Sequence, residues 1–205
     1  MTQLDGEDDM VKAWLASALV VGMMLGGGSV AMAAGGSFAD GWSAFNNGNY
    51  RKAHDIWLPL AHKGAARAQN NLGLMYMKGY GVAQDYAIAA DWFRQAADNG
   101  YVQANISLGS LYIQGLGVEQ DYFAAFELLY VAAREGYPQA QYQMGDMYAK
   151  GFGVSQDYKK AMKWWRRAAR QGHTGAQSAQ ADLLKQGLGL KRQPYPKTTR
   201  WSKFG

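Results

Sequence analysis

Apolar positions in this chain recur in a fixed order. Ala68, Leu72 and Tyr76 are followed by Ala104, Leu108 and Tyr112, then by Ala140, Met144 and Tyr148. Spacing of four and four draws one stripe along a helix, so each set predicts an amphipathic helix, here called A. Gly73, Gly109 and Gly145 stand beside that stripe. A glycine costs about 1 kcal/mol of helix propensity relative to alanine, and close approach of a partner helix is the expected reason. A second pattern runs through Ala89, Phe93 and Ala97, repeated as Ala125, Leu129 and Ala133 and as Ala161, Trp165 and Ala169. It predicts helix B, whose buried face Trp92, Leu128 and Trp164 widen. Helix B ends at Gly100, Gly136 and Gly172, where glycine most easily supplies a left-handed cap.

Between A and B lies one phrase written three times: GYGVAQDY from Gly79, GLGVEQDY from Gly115 and GFGVSQDY from Gly151. Gly79 is expected to end helix A, Gly81 to allow the turn, Val82 to seat the loop on the core and Asp85 to cap helix B. A G-x-G start before a helix also invites an anion cradle, but Gln84 stands where a third glycine would be and no lysine follows in the phosphate-loop position. The 36-residue step defines repeats 68–103, 104–139 and 140–175. Upstream, Tyr50, Ala53, Trp57, Ala61 and Gly64 copy helix B, after an A helix around Phe38 to Asn47 and a short Gly48-Asn49 turn. This makes 38–67 a degenerate, tetratricopeptide-like repeat. Downstream, Ala176 opens an A helix with no B partner, and Gln180 takes the position of Leu72. Residues 176–189 therefore read as a terminal capping helix with one wet face.

A period reading A-x-x-x-L-G-x-x-Y-x-x-G-x-G-V-x-x-D-Y-x-x-A-x-x-W-x-x-x-A-A-x-x-G resembles the Sel-1-like repeat, a relative of the tetratricopeptide family. The resemblance covers residues 68 to 186 closely and 38 to 67 more loosely. It implies an all-α fold, a right-handed α/α superhelix (solenoid) of antiparallel helix pairs with a concave surface lined mainly by A helices. It also implies an adaptor that holds other proteins, with exported bacterial members acting at the cell envelope. Some cysteine-rich relatives act on penicillin-type compounds; this chain has no cysteine.

The first residues read differently. Lys12 precedes the apolar run from Trp14 to Leu25, and a small-residue stretch ends in Ala31-Met32-Ala33-Ala34. That is the pattern of a secretory signal peptide, residues 1–33, with an uncleaved membrane anchor as the alternative. Asp5, Glu7, Asp8 and Asp9 sit where such a segment is ordinarily basic, and a start at Met10 would remove them. An exported protein of the periplasm or medium follows. Cleavage would remove four acids and one lysine, so the formal charge of +5 becomes +8. The excess lies late in the chain, in the run YKKAMKWWRRAARQ and in the basic tail 190–205.

Candidate chemistry is sparse. His54, His62 and His173 are far apart, and absence of cysteine excludes disulfides, a thiol nucleophile and thiolate metal ligands. Asp85, Asp121 and Asp157 recur once per repeat, too far apart to flank one bond as paired catalytic carboxylates do. No enzyme activity, cofactor or nucleic-acid partner is expected; a hydrolase is the remote alternative.

Function is expected on the A helices, opposite the core stripe. Asn70, Leu74, Met77, Ile106, Ser110, Ile113, Tyr142 and Asp146, with Ala149, lie there, and five of these nine are large and apolar or aromatic. They predict an exposed apolar groove for a partner protein's peptide or helix; the competing reading is that neighbouring repeats or the N-terminal segment cover it. Lys159, Lys163, Arg166 and Arg170 are expected to point outward from the last B helix, joined by Lys191 and Arg192 of the tail. Together they form an anion-binding end for acidic lipid headgroups, anionic envelope polysaccharide or an acidic partner, against the plainer reading of a solvated face.

Overall fold

Helices and tight turns account for residues 36–188, the part of the chain described by a computed structural model. Nine helices follow in order: α1 (Phe38–Asn46), α2 (Tyr50–His62), α3 (Ala66–Lys78), α4 (Tyr86–Asp98), α5 (Val102–Gln114), α6 (Tyr122–Arg134), α7 (Pro138–Lys150), α8 (Tyr158–Arg170) and α9 (Thr174–Lys185). There is no strand among the described residues. Each helix packs against the one before and the one after it, and α9 also touches α7. Nearest-neighbour packing of this kind is the mark of an all-α helical-repeat solenoid. Residues 1–33, 190–205 and with them the export segment, Lys191 and Arg192 lie outside the described residues.

The core explains why no unit can stand alone. The α3 stripe of Ala68, Leu72 and Met75 is buried with Trp57 of α2 on one side and Trp92 of α4 on the other. Phe93 and Ala96 of α4 are buried with Leu108 and Leu111 of α5, the first helix of the next repeat. Each B helix thus seals the A helix that follows it. Ala89, Ala125, Ala161 and Ala133 of the expected stripe are fully buried, and so are Ala96, Ala132 and Ala168, whereas Ala97 and Ala169 are only half-buried. Toward its C-terminal end helix B thus turns the position one residue back toward the A helix that follows, as Ala96 does toward Ala104 and Leu108.

The helical glycines are contact points. A β-carbon at Gly73 would lie 2.6 Å from the Phe93 ring, and one at Gly109 2.9 Å from Leu129. Gly145 meets Trp165 in the same way, and so does Gly41 of α1 with Trp57. The lost helix propensity is offset by an aromatic or leucine side chain of the partner helix lying on the backbone.

The loop phrase is used up by the scaffold. Gly79 ends α3 in the left-handed region with φ 72°, and Val82 packs against the core. The Asp85 carboxylate accepts from the N–H groups of Ala87 (2.8 Å) and Ile88 (3.0 Å), and Asp121 and Asp157 do the same for α6 and α8. The glutamine completes the set: Gln84, Gln120 and Gln156 donate through Nε2 to the Met77, Ile113 and Ala149 carbonyls at 2.8, 2.7 and 2.8 Å. Helix ends leave such groups unpaired unless side chains reach them. Two first-turn donors of each B helix are taken by an aspartate, whose negative charge also disfavours a phosphate at the same place.

A further tie between units had no sequence signal. Buried Gln69 donates to the Ala61 carbonyl of the preceding unit (3.0 Å) and accepts from Asn99 at the end of its own repeat (2.9 Å). Buried Gln141 repeats this with Ala133 (3.2 Å) and Gln171 (2.8 Å). At the middle junction the equivalent residue is Asn105.

Candidate functional site

The open face of each A helix is set by what its neighbours leave uncovered. On α3, Arg67 and Lys78 are exposed, with Asn71 and Leu74 half-buried between them. The spacing i, i+4, i+7, i+11 is one stripe of a helix. Its counterparts are Gln103, Ser107, Ser110 and Gln114 on α5, and Gln139, Gln143, Asp146 and Lys150 on α7. Leu74 is the one apolar side chain among these twelve. Seven of the others are amides or hydroxyls and four are charged. On α1 the stripe passes through Trp42, which is 49% exposed.

An exposed apolar groove is therefore not what the fold presents. Ile106 is 5% exposed and belongs to the buried group of Phe126, Leu129, Met144 and Trp165; Asn70 is 3% exposed. Leu74, Met77, Ile113 and Tyr142 are half-buried and packed against the core. Helix spacing alone assigns one face to the partner helix and the opposite face to solvent. A solenoid helix has neighbours on three sides, so positions such as Asn70 and Ile106, far from the main stripe, are still covered. Of the expected residues, Leu74, Ser110 and Asp146 lie on the open stripe.

Polar groups of this stripe are linked across repeats. Gln143 Nε2 of α7 donates to Ser110 Oγ of α5 (2.8 Å), which itself donates to the Ile106 carbonyl (2.8 Å). Asp146 accepts from Trp165 Nε1 at 3.0 Å and lies 3.9 Å from Lys150 Nζ. Burial pushes the Asp146 carboxyl above the usual carboxylate range, against the opposing pull of the Trp165 bond and the Lys150 charge. Burial and the nearby Asp146 charge also push the Tyr142 hydroxyl up. Tyr142 stacks on His173 (4.6 Å), whose Nδ1 accepts the Ala176 N–H (3.1 Å) as the cap of α9, leaving Nε2 to donate to Gln139 (2.9 Å). His54 reaches the Tyr76 hydroxyl (3.3 Å) and His62 packs on Trp92. Among the described residues no group of His, Cys, Asp or Glu could hold a metal ion, and no helix is long and apolar enough to cross a membrane.

Among the described residues, three buried side-chain polar atoms have no hydrogen-bond partner: Asn70 Oδ1, Asn71 Nδ2 and Gln143 Oε1. All belong to A helices, on or beside the open stripe. Nothing in the sequence marked Asn71 or Gln143, because polar residues on an open helix face are the ordinary case.

The B helices show a different surface. Lys159, Lys163, Arg166 and Arg170 of α8 are all exposed, as the spacing predicts. Arg167 lies over the Trp164 ring at 4.6 Å. The corresponding face of α4 carries Asp91 bonded to Arg94 at 2.6 Å.

Three consecutive segments, residues 66–101, 102–137 and 138–173, match the Sel1 repeat model. They open two residues ahead of the alanines that mark the sequence period. Among solved structures, the chain is similar to a Sel1 repeat protein from Oxalobacter formigenes, with 30% identity, TM-score 0.69, and coverage of 77% of this chain and 65% of that one. It is also similar to a protective antigen present in uropathogenic Escherichia coli strains displaying an SLR fold, with 31% identity, TM-score 0.71, and coverage of 90% of this chain and 37% of that one. The chain thus spans less than two thirds of the length of either. No curated protein matches it. With three adjoining repeats matched over half its length and the glycine, aspartate and glutamine contacts in place in each, this chain belongs to the Sel1 repeat family, whose members generally mediate protein–protein interaction.

Proposed function

We propose that the protein is a non-enzymatic adaptor or scaffold of the cell envelope that holds a segment of a partner protein on its A-helix face. The observation that carries the reading is the open stripe of the A helices, where seven of twelve side chains are neutral amides or hydroxyls. A polypeptide laid across the A helices brings main-chain donors and acceptors that such groups can meet. The stripe's many neutral amides and hydroxyls suit that chemistry better than they suit an apolar helix. Placement in the envelope rests on the charged start, short apolar run and Ala31-Met32-Ala33 site of the N-terminal segment.

Photo-crosslinking tests the face directly. A photoreactive residue at Leu74 or Ser107, on the A helices, should capture a protein partner in living cells, whereas one at Gln95, on the exposed side of α4, should not. Equal capture from both faces, or from Gln95 alone, would sink the proposal.

A further inference from the structure

The outer faces of the three B helices occupy equivalent places in the repeat, so their differences are informative. The stripe Lys159, Lys163, Arg166, Arg170 of α8 corresponds to Ala87, Asp91, Arg94, Asp98 on α4 and to Phe123, Glu127, Tyr130, Arg134 on α6. Folding places no demand for charge here, since α4 and α6 adopt the same 13-residue helix with other residues. Arg170, in the last turn, suits the helix dipole, but the stripe as a whole brings α8 no such gain. Like charges four apart repel, and Lys159 stands in the first turn, beside the positive end of the helix dipole. None of the four is within ion-pair distance of a carboxylate among the described residues.

We infer that this face of α8 is a second docking surface, separate from the A-helix face, and that it takes an acidic segment of a protein. Charge complementarity sets the sign of the ligand, and the composition of α8 narrows its kind. YKKAMKWWRRAAR has no serine, threonine, asparagine or glutamine, so the stripe offers no neutral groups to read the hydroxyls of a sugar. It has no exposed large apolar side chain either; Trp42, Tyr80, Ile88, Phe123 and Leu184 lie on other elements, so α8 itself offers no side chain to enter a lipid bilayer. What remains is a ligand dense in carboxylates. Four cations over about 16 Å of helix match carboxylates along one face of an acidic helix or extended strand, and two guanidinium groups can hold carboxylates through paired N–H bonds.

The test uses the full chain and a fluorescein-labelled oligoglutamate peptide, followed by anisotropy at low and physiological salt. Binding should weaken as salt rises. The double variant Lys163→Glu, Arg166→Glu should lose about tenfold or more in affinity while melting as the parent does. Lys163→Arg should keep binding, and so should Gln143→Ala on the A face. No binding at low salt, or undiminished binding by the double variant, would overturn the surface; the latter result would assign the charge effect to the tail. Tighter binding of oligogalacturonate, phosphatidylglycerol vesicles or single-stranded DNA than of oligoglutamate would overturn the assignment to an acidic protein segment.

Discussion

Asp157 and Lys163 are six residues apart and obey different rules. Asp157 does in the third repeat what Asp85 and Asp121 do in the others: it accepts two first-turn N–H groups and starts a B helix. Lys163 stands where the other repeats have Asp91 and Glu127. The glycines, valine, glutamine, aspartate and tyrosine of the loop are the same in every copy, and the glutamine and aspartate meet the same partners each time. The outer B face differs in every copy because the fold asks only that it be wettable. Repetition therefore marks the residues that build the solenoid, and departure from it marks the surfaces that distinguish one repeat from another.

This contrast is broken most severely at the loop glycines. Gly117 has φ 67°, and a β-carbon there would run into the Tyr86 backbone, which cannot move aside as a side chain can. Gly117→Ala should cost about 3 kcal/mol or more in urea unfolding. Gly100 is as left-handed, with φ 81°, but has nothing within 4 Å of an added β-carbon. Gly100→Ala should cost only about 1 kcal/mol, the backbone term alone. Equal losses at the two positions would refute close packing as the reason for the second glycine of the phrase. Next in size is the cap: Asp121→Ala should cost about 1 kcal/mol, read from the same unfolding curves.

The smallest effect concerns the open A face. Because burial raises the Asp146 carboxyl in the folded protein, the folded state holds that proton more tightly than the unfolded chain, whose ordinary value is 3.8. Stability from this site is then greatest at low pH and falls as pH rises from about 3.8 through the folded value, the reverse of an ordinary paired carboxylate. Urea midpoints across that window should fall less steeply in Asp146→Asn, which keeps an oxygen for Trp165. An unchanged slope would mean that the carboxylate is well solvated.

Much of this was legible because it is local. The stripe of Ala68, Leu72 and Tyr76, the capping aspartates and the terminal glycines act within one or two turns, and a period of 36 residues repeats the evidence. The role of Gln84, Gln120 and Gln156 was hidden, since the carbonyl each one meets lies seven residues back. Gln69 and Gln141 were hidden more deeply: each joins a carbonyl of the preceding unit to a side chain some 30 residues ahead in its own.

Sequence alone determined the helix pairs, their order, their caps and the cationic side of α8, because helix spacing and end chemistry need no knowledge of distant contacts. Tertiary structure decided which side of each A helix meets solvent. Asn70 and Ile106 oppose the core stripe yet are buried, while Asn71, Ser110 and Gln143 line the open side. The physical reason is that a helix inside a solenoid is covered from three directions, and only the arrangement of those neighbours fixes the arc left open.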